Sequence, residues 1–206
     1  TSGTAALRVA LSTIDLRPGD EVITQSFTFV ATVEAIIEAR AIPVLTEIDS
    51  TLNLDPNDLL KKITKKTKAV IVVHMLGVPA ELDKIKSICD KKNITLIEDT
   101  AWGCGGKYKK KYLGTWGRIG TFSFDHAKTI TTGEGGMVVT NNYKIAQKVE
   151  RLKMVGNDKD KHYWHNIVGY NYRMTNLCAA IGYGQLSKAK FILKKKINIF
   201  QIYKEN

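Results

Sequence analysis

Short runs rich in β-branched residues alternate with longer amphipathic segments along most of this chain. Parallel strands need crossover connections, which are usually helices, so this alternation indicates a parallel sheet covered by helices. We therefore expect a layered α/β domain. The predicted strands are residues 21–25, 42–47, 69–74, 95–98, 120–124 and 136–140, and the predicted helices are residues 4–14, 28–39, 82–92 and 145–154.

The composition is that of a folded chain without a membrane span. Of the 206 residues 44% are hydrophobic, which is enough to bury a sizeable core. Apolar runs such as residues 69–73 are far shorter than the roughly 20 residues that cross a bilayer, and no signal peptide pattern opens the sequence. The three cysteines are too few and too widely spaced for a disulfide framework or a zinc site. We expect no membrane partner, no metal and a cytoplasmic setting.

The charge balance is strongly basic, with 31 Lys and Arg against 20 Asp and Glu and a formal net charge of +11. Such an excess fits nucleic acid, an anionic surface or anionic small molecules. Residues 107–112 alternate lysine with tyrosine, as in some nucleic-acid patches, but their position after several glycines is more typical of a solvated hairpin. Residues 188–204 predict an amphipathic helix with a basic face. We expect no nucleic-acid partner.

The first residues, Thr1-Ser2-Gly3-Thr4, are small, carry hydroxyl groups and lead into the first predicted helix. A helix N-terminus leaves backbone N–H groups without partners and carries the positive end of the helix dipole, which suits an anion such as phosphate. The alternative is an ordinary helix cap made by Ser2 or Thr4. These residues alone leave both interpretations open.

Asp99 follows an apolar predicted strand, where open α/β sheets place their ligands. A carboxylate held there suits a cationic ring nitrogen or a metal, whereas the alternative is a helix cap or a turn residue. His74 ends another predicted strand and could line the same crevice. A structural histidine that is satisfied by the backbone is the more common case.

Lys128 lies five residues after Ser123, which ends a further predicted strand, and a glycine-rich turn follows at residues 133–136. A lysine whose pKa is lowered can condense with an aldehyde to form a Schiff base, although most of the basic residues are surface lysines. The combination of Lys128 with the other candidate residues favours a catalytic lysine over a surface lysine. A phosphate-binding helix tip, an acidic strand end and a Schiff-base lysine on one α/β domain are the parts that pyridoxal 5′-phosphate (PLP) requires.

Six motif segments follow one another in order: residues 3–7 (Gly-Thr-Ala-Ala-Leu), 27–32 (Phe-Thr-Phe-Val-Ala-Thr), 98–101 (Glu-Asp-Thr-Ala), 123–128 (Ser-Phe-Asp-His-Ala-Lys), 133–137 (Gly-Glu-Gly-Gly-Met) and 169–174 (Gly-Tyr-Asn-Tyr-Arg-Met). With them the chain resembles, from residue 1 to about residue 185, the DegT/DnrJ/EryC1/StrS family of PLP-dependent sugar aminotransferases. The resemblance implies the three-layer α/β/α large domain of a PLP-dependent transferase, with a mostly parallel central sheet. It assigns residues 1–185 to that domain, incomplete at its N-terminus, and residues 186–206 to a Lys-rich helix that leads to an absent small domain.

The resemblance also implies roles for individual residues. Lys128 would form the Schiff base and shuttle the proton, and Asp99 would pair with the pyridine nitrogen. Phe29 would stack on the cofactor ring. Gly3, Thr4 and Ser123 would hold the phosphate. Asn171 would reach the phosphate of a neighbouring subunit, which makes a homodimer with shared active sites.

Trp102 departs from the family pattern. Three residues after the aspartate, the family usually has Gln or His, which contacts the cofactor ring oxygen or the substrate. An indole offers one donor and a large apolar face, so we expect Trp102 to contact the cofactor and to reshape the pocket.

The function implied is transfer of an amino group from an amino acid, glutamate by resemblance, to a keto sugar that is linked to a nucleotide. Such a reaction belongs to amino-sugar and surface-polysaccharide biosynthesis. One alternative is a PLP-dependent sugar dehydratase of the same fold, but those relatives replace the lysine by histidine. The other alternative is a non-catalytic protein, either a basic binding protein or a degenerate member of the family. The intact Lys128, Asp99 and Ser123 argue against degeneracy, whereas salt-dependent DNA binding would identify a basic binder.

Overall fold

A six-stranded sheet forms the centre of the computed structural model, which describes residues 1–158, 160–161 and 163–205. Its strands are β1 (Glu21–Gln25), β2 (Ile42–Thr46), β3 (Thr67–Val73), β4 (Thr95–Asp99), β7 (Ile119–Ser123) and β8 (Gly136–Val139), and a separate hairpin holds β5 (Lys107–Tyr108) and β6 (Lys111–Tyr112). The spatial order of the strands in the sheet is β2-β1-β3-β4-β7-β8. All neighbouring strands of the sheet pair in parallel except β7 and β8, which are antiparallel. The expectation of a mostly parallel sheet is therefore confirmed.

Seven α-helices lie within the described residues, and five of them contribute buried residues to the two faces of the sheet. Successive strand residues point to opposite faces, so Ile71 joins one buried cluster while Val70 and Val72 join the other. The helices are α1 (Gly3–Ser12), α2 (Val30–Glu38), α3 (Pro56–Lys62), α4 (Leu82–Lys92), α5 (Tyr143–Leu152), α6 (Asn176–Ser187) and α7 (Ala189–Glu205). The first cluster packs under α1, α2 and α5, and the second packs under α3 and α4. The sheet and its two helical faces are the three layers that the family resemblance implies.

The predicted elements agree closely with the observed ones. Helix α4 has both of its predicted ends, and each end of the six sheet strands lies within two residues of its predicted position. Helix α3 lies outside the four predicted helices, although its signals are present: Asp55 accepts a hydrogen bond from the N–H of Asn57, and Pro56 is the first helical residue. With only seven residues, α3 is too short to show a clear apolar period.

The basic segments of the sequence lie at the surface. Residues 107–112 form a two-stranded hairpin, which confirms the structural interpretation of this segment. Helix α7 occupies the predicted Lys-rich segment, of which residue 206 lies outside the described residues. No residue of α6 or α7 is buried in the described structure. In the parts of the chain that the structure describes, no helix is both long and apolar enough to span a membrane.

Glu98 is a fully buried carboxylate near the end of β4. Its Oε1 atom accepts the N–H groups of Trp116 and Gly117, both at 2.6 Å, and its Oε2 atom accepts the N–H of Gly114 at 2.8 Å. The Nε2 atom of His74 lies 3.2 Å from the same Oε2. Since the His74 Nδ1 atom accepts the N–H of Ala80, Nε2 carries the proton and donates it to Glu98. His74 is therefore a structural residue, as its more common interpretation predicted.

Replacing Glu98 by Gln should destabilise the protein. The amide nitrogen would face backbone N–H groups that now donate to an oxygen, so at least one buried donor would lose its acceptor. We expect the free energy of unfolding to fall by about 2–4 kcal/mol. Urea unfolding followed by circular dichroism measures this. The matched control is Glu34→Gln, a substitution of an exposed carboxylate on α2, which should change stability by less than about 0.5 kcal/mol. Equal stability of the two variants would contradict the role given to Glu98.

Candidate active site

A cavity of about 210 Å³ opens where the carboxyl ends of β3, β4 and β7 meet the first turn of α1. Each of the three strands contributes its last residue to the wall: Val73, Asp99 and Ser123. The crevice at this edge of a parallel sheet is where α/β folds bind ligands. Seven of the residues singled out in the sequence line this one cavity: Gly3, Thr4, Phe29, Asp99, Trp102, Ser123 and Lys128.

The first turn of α1 forms one side of the cavity. Ser2 caps the helix, with its Oγ atom accepting the N–H of Ala5 at 3.0 Å. Within the described part of the chain, the backbone N–H groups of Gly3 and Thr4 donate to no protein acceptor. The ordinary cap is thus observed, and it leaves two donors at the cavity that could bind an anion.

Glycine lets this helix tip approach the sheet. A Cβ atom at Gly3 would lie 2.7 Å from the Cβ of Ser123, and one at Gly136 would lie 1.9 Å from the carbonyl oxygen of Ser2. Neither distance is possible in a folded protein without movement of the backbone. The Ser123 hydroxyl and the N-terminus of α1 are therefore brought side by side, as an anion site that uses both would require.

Asp99 ends β4 and is almost completely buried. Its Oδ2 atom accepts the hydroxyl of Thr32 at 3.0 Å, and its Oδ1 atom accepts the N–H of Ala101 at 3.1 Å. Burial raises the pKa of this carboxyl above its ordinary value, because removal from water penalises the ionised form. The hydrogen bond from the N–H of Ala101 supports the interpretation of Asp99 as a turn residue. Asp99 also lines the cavity, so the two interpretations apply together.

Lys128 reaches the cavity from the loop that follows β7. Its Nζ atom lies 4.2 Å from the centre of the Trp102 ring and 3.9 Å from Oδ2 of Asp125. Only 12% of its side chain is exposed, so it is not one of the many surface lysines. The loop folds back on itself, because Phe124 exchanges backbone hydrogen bonds with Gly135 and Thr132.

Phe29 and Asn171 are both exposed residues. Phe29, immediately before α2, lines the cavity, and 65% of the residue is exposed. Asn171 is exposed and does not line the cavity. Its segment packs against α1, since Tyr170 hydrogen bonds to Ser12 and Arg8 donates to the hydroxyl of Tyr172.

Sequence reasoning missed several residues of the cavity wall. Thr32 lies inside the motif at residues 27–32, and its role shows only through its bond to Asp99. Asp125, His126 and Glu134 surround the cavity near Lys128 and lie in segments that were singled out for other residues. Cys104 is not among the lining residues. Among the residues that the structure describes, no group of three or more His, Cys, Asp or Glu is arranged to hold a metal ion.

Comparison with known proteins gives consistent matches. The model of the DegT/DnrJ/EryC1/StrS aminotransferase family matches residues 1–206. The chain is 45% identical to the GDP-perosamine synthase of Escherichia coli O157:H7 over 207 aligned residues, and 46% identical to that of Vibrio cholerae over 205. A sugar aminotransferase of Streptococcus pneumoniae solved in its PLP form superposes with a TM-score of 0.93 at 28% identity, covering 99% of this chain and 58% of that one.

The chain spans little more than half the length of these relatives. The alignments cover 100% of this chain but 57% of the Escherichia coli protein, and 99% of this chain but 56% of the Vibrio cholerae protein. The match to the family model covers residues 1–206 and so includes every residue of the cavity wall.

Replacing Asp99 by Asn should stabilise the protein when no ligand is bound. A folded-state pKa above the ordinary 3.8 means that the folded protein binds this proton more tightly than the unfolded chain does, so ionisation at neutral pH lowers stability. We expect Asp99→Asn to raise the free energy of unfolding at pH 7 by about 0.5–2 kcal/mol. The gain should shrink as the pH falls through the folded-state pKa and vanish below about pH 4. Urea unfolding across this pH range measures it, and a gain that does not depend on pH would contradict the explanation.

Proposed function

The chain belongs to the DegT/DnrJ/EryC1/StrS aminotransferase family, whose members depend on PLP, and on this premise we propose that it transfers an amino group to a nucleotide-linked keto sugar. The donor would be an amino acid, by resemblance glutamate. One observation carries the proposal. Lys128, Asp99 and the N-terminal turn of α1 surround the same cavity, although they lie far apart in the sequence.

The cavity wall fits PLP in its chemistry. The close approach of Gly3 to Ser123 brings two backbone donors and a hydroxyl together, and these would hold the phosphate. Asp99 is a buried acceptor that would pair with the pyridine nitrogen, and the positive charge there would offset the loss of water around the carboxylate. Lys128 supplies the amine that the aldehyde requires.

When bound, PLP supplies an electron sink for the negative charge that develops at the α-carbon of the amino donor. The residues of this chain would transfer the proton, orient the ring and exclude water. The Nζ atom of Lys128 would take a proton from the substrate and return it. Asp99 would keep the ring nitrogen protonated, with its carboxylate oriented by Thr32 and by the N–H of Ala101. Phe29 would cover one face of the ring and exclude water.

The proposed acceptor is a nucleotide-linked keto sugar, and the names of the curated relatives favour a GDP-linked one. Trp102 takes part of the cavity wall and would limit the shape of that sugar. Lys128 at the cavity argues against the dehydratase alternative, in which the lysine is replaced by histidine. It also argues against a binding protein that has lost its chemistry.

A homodimer with shared sites is part of the same proposal. Asn171 is exposed on a segment that is held against α1, so it is available to a second copy rather than to its own cavity. Exposed apolar side chains on α6, such as Leu177, Ile181 and Leu186, also fit a surface that another copy covers. The division into a large domain at residues 1–185 and a helix that leads to a smaller domain stays a prediction, as does the cytoplasmic setting.

Replacing Lys128 by Ala should abolish covalent uptake of the cofactor. The purified protein, incubated with PLP and then desalted, should retain a visible absorbance band that Lys128→Ala lacks, because no other lysine lines the described cavity. Lys144→Ala, which removes an exposed lysine on α5, is the control and should keep the band. A band of full intensity in Lys128→Ala would overturn the proposed role.

The acceptor can be identified with the pyridoxamine form of the protein. Adding keto sugars one at a time should restore the visible band only for an accepted substrate, because amino transfer regenerates the aldehyde. We expect a GDP-linked 4-keto hexose to restore it faster than the UDP-linked or dTDP-linked equivalent. If no nucleotide-linked keto sugar restores the band while an unlinked keto acid does, the proposed substrate class is wrong.

A further inference from the structure

Gln25 is the last residue of β1, four residues before Phe29, and it is completely buried. A primary amide inside a protein costs free energy unless its hydrogen-bonding groups find partners. In Gln25 they do: Oε1 accepts the N–H of Val73 at 3.1 Å, and Nε2 donates to the carbonyl oxygens of Phe27 at 3.0 Å and Leu52 at 3.2 Å. Since one partner is a donor and two are acceptors, the direction in which the amide faces is fixed.

The three partners of Gln25 lie in different parts of the chain that meet at the carboxyl edge of the sheet. Phe27 follows β1, and Leu52 lies between β2 and α3. Val73 is the last residue of β3 and forms part of the cavity wall. One buried side chain therefore joins the cavity wall to the segment that leads into α2.

That segment, residues 26–30, has little side-chain packing of its own. Three of its residues are between 44% and 65% exposed: Phe27, Phe29 and Val30. The N–H of Ser26 donates to the carbonyl oxygen of Thr46 at 3.0 Å, which connects the start of the segment to β2. The position of the segment thus depends on hydrogen bonds more than on buried apolar contacts.

Hydrogen bonds from buried side chains hold the backbone on both sides of Phe29. On one side Gln25 binds the carbonyl oxygen of Phe27. On the other side the hydroxyl of Thr32 donates to Oδ2 of Asp99 at 3.0 Å. Phe29 lies between these two points, so a shift at either one moves its ring relative to the cavity.

We propose that Gln25 is a positioning residue for Phe29: its amide holds residues 26–30 against the cavity wall and so keeps the Phe29 ring over the face of the cofactor. The inference rests on the proposed function and deepens it, because covering the cofactor ring is the role proposed there for Phe29. Gln25 is not among the described residues that line the cavity, so it acts through Phe29 and not by contact with the cofactor. A displacement of about 1 Å is enough to matter in such a site.

The test uses protein loaded with PLP and measures how fast hydroxylamine removes the visible band. The hydroxylamine nitrogen bonds to the aldehyde carbon of PLP and the amine of Lys128 leaves, so the rate reports how well the ring is shielded. The proteins compared are the wild type, Gln25→Met, Phe29→Leu and the double variant. Gln25→Met keeps the approximate length of the side chain and removes its three hydrogen bonds. The matched control is Thr24→Val, which removes one buried hydrogen bond of the same strand, to the carbonyl oxygen of Ile71.

We expect Phe29→Leu and Gln25→Met each to raise the rate about 3–10-fold, which is the effect of losing roughly one aromatic contact or one net hydrogen bond. The double variant should react no faster than Phe29→Leu, because two residues that act through one contact are not additive. Thr24→Val should react at the wild-type rate. If Gln25→Met does not fold by circular dichroism, Gln25→Asn carries the test, since it keeps an amide and withdraws it from Phe27 by one methylene.

A wild-type rate in a folded Gln25 variant or in Phe29→Leu would overturn the positioning role. So would a double variant whose increase is the product of the two single increases, as independent structural effects give. An equal increase in Thr24→Val would also overturn it, because the rate would then follow the loss of stability alone.

These results are distinct from failure of the proposed function. The visible band of the PLP-treated protein, and its loss in Lys128→Ala, would remain if only the role of Gln25 were wrong. A wild-type protein that forms no band, or a Lys128→Ala variant that keeps it, would overturn the proposed function itself.

Discussion

The buried carboxylate of Glu98 connects strand β4 of the central sheet to residues 114–117, the segment that leads into strand β7. A charge inside a protein persists only where donors replace the water it has lost, and Glu98 collects three backbone N–H groups and His74. The N–H groups belong to residues 114–117, just before β7, so this clamp fixes where β7 enters the sheet. Ser123, at the far end of β7, therefore reaches the cavity. Glu98 and Asp99 are adjacent carboxylates on β4, yet one organises a loop and the other faces the site.

Much of the fold could be predicted from the sequence because the buried residues of strands and helices form clear patterns of apolar residues along the chain. The run at residues 69–73 is apolar throughout, as expected for a strand covered on both faces, and β3 is buried along nearly its whole length. Helix α4 could be placed at both ends because its apolar residues recur at helical spacing. The apolar period does not predict helix α3, because its seven residues form less than two turns. Only its N-cap residue and Pro56 indicate a helix at this position.

The site was predictable in its parts and less so in its contacts. Seven residues gather at the cavity because strand ends and a helix tip converge at one edge of the sheet, which is a property of the fold class. The bond from Thr32 to Asp99 joins residues 67 positions apart, and the indole face over Lys128 depends on the path of a loop. Neither follows from local pattern, because packing between distant segments sets both. The role of Asn171 involves a second copy of the chain and stays a prediction.

The burial of Asp99 has a consequence for the life of the protein in a cell. A cationic ligand that binds only the folded state and pairs with this carboxylate stabilises that state, whereas in a chain without the ligand burial penalises the ionised form of Asp99. Chaperones and proteases act on the unfolded fraction, which changes several-fold with 1–2 kcal/mol, on the order of effects like this one. The abundance of the protein would then follow the supply of its cofactor, and copies that remain empty would be turned over first.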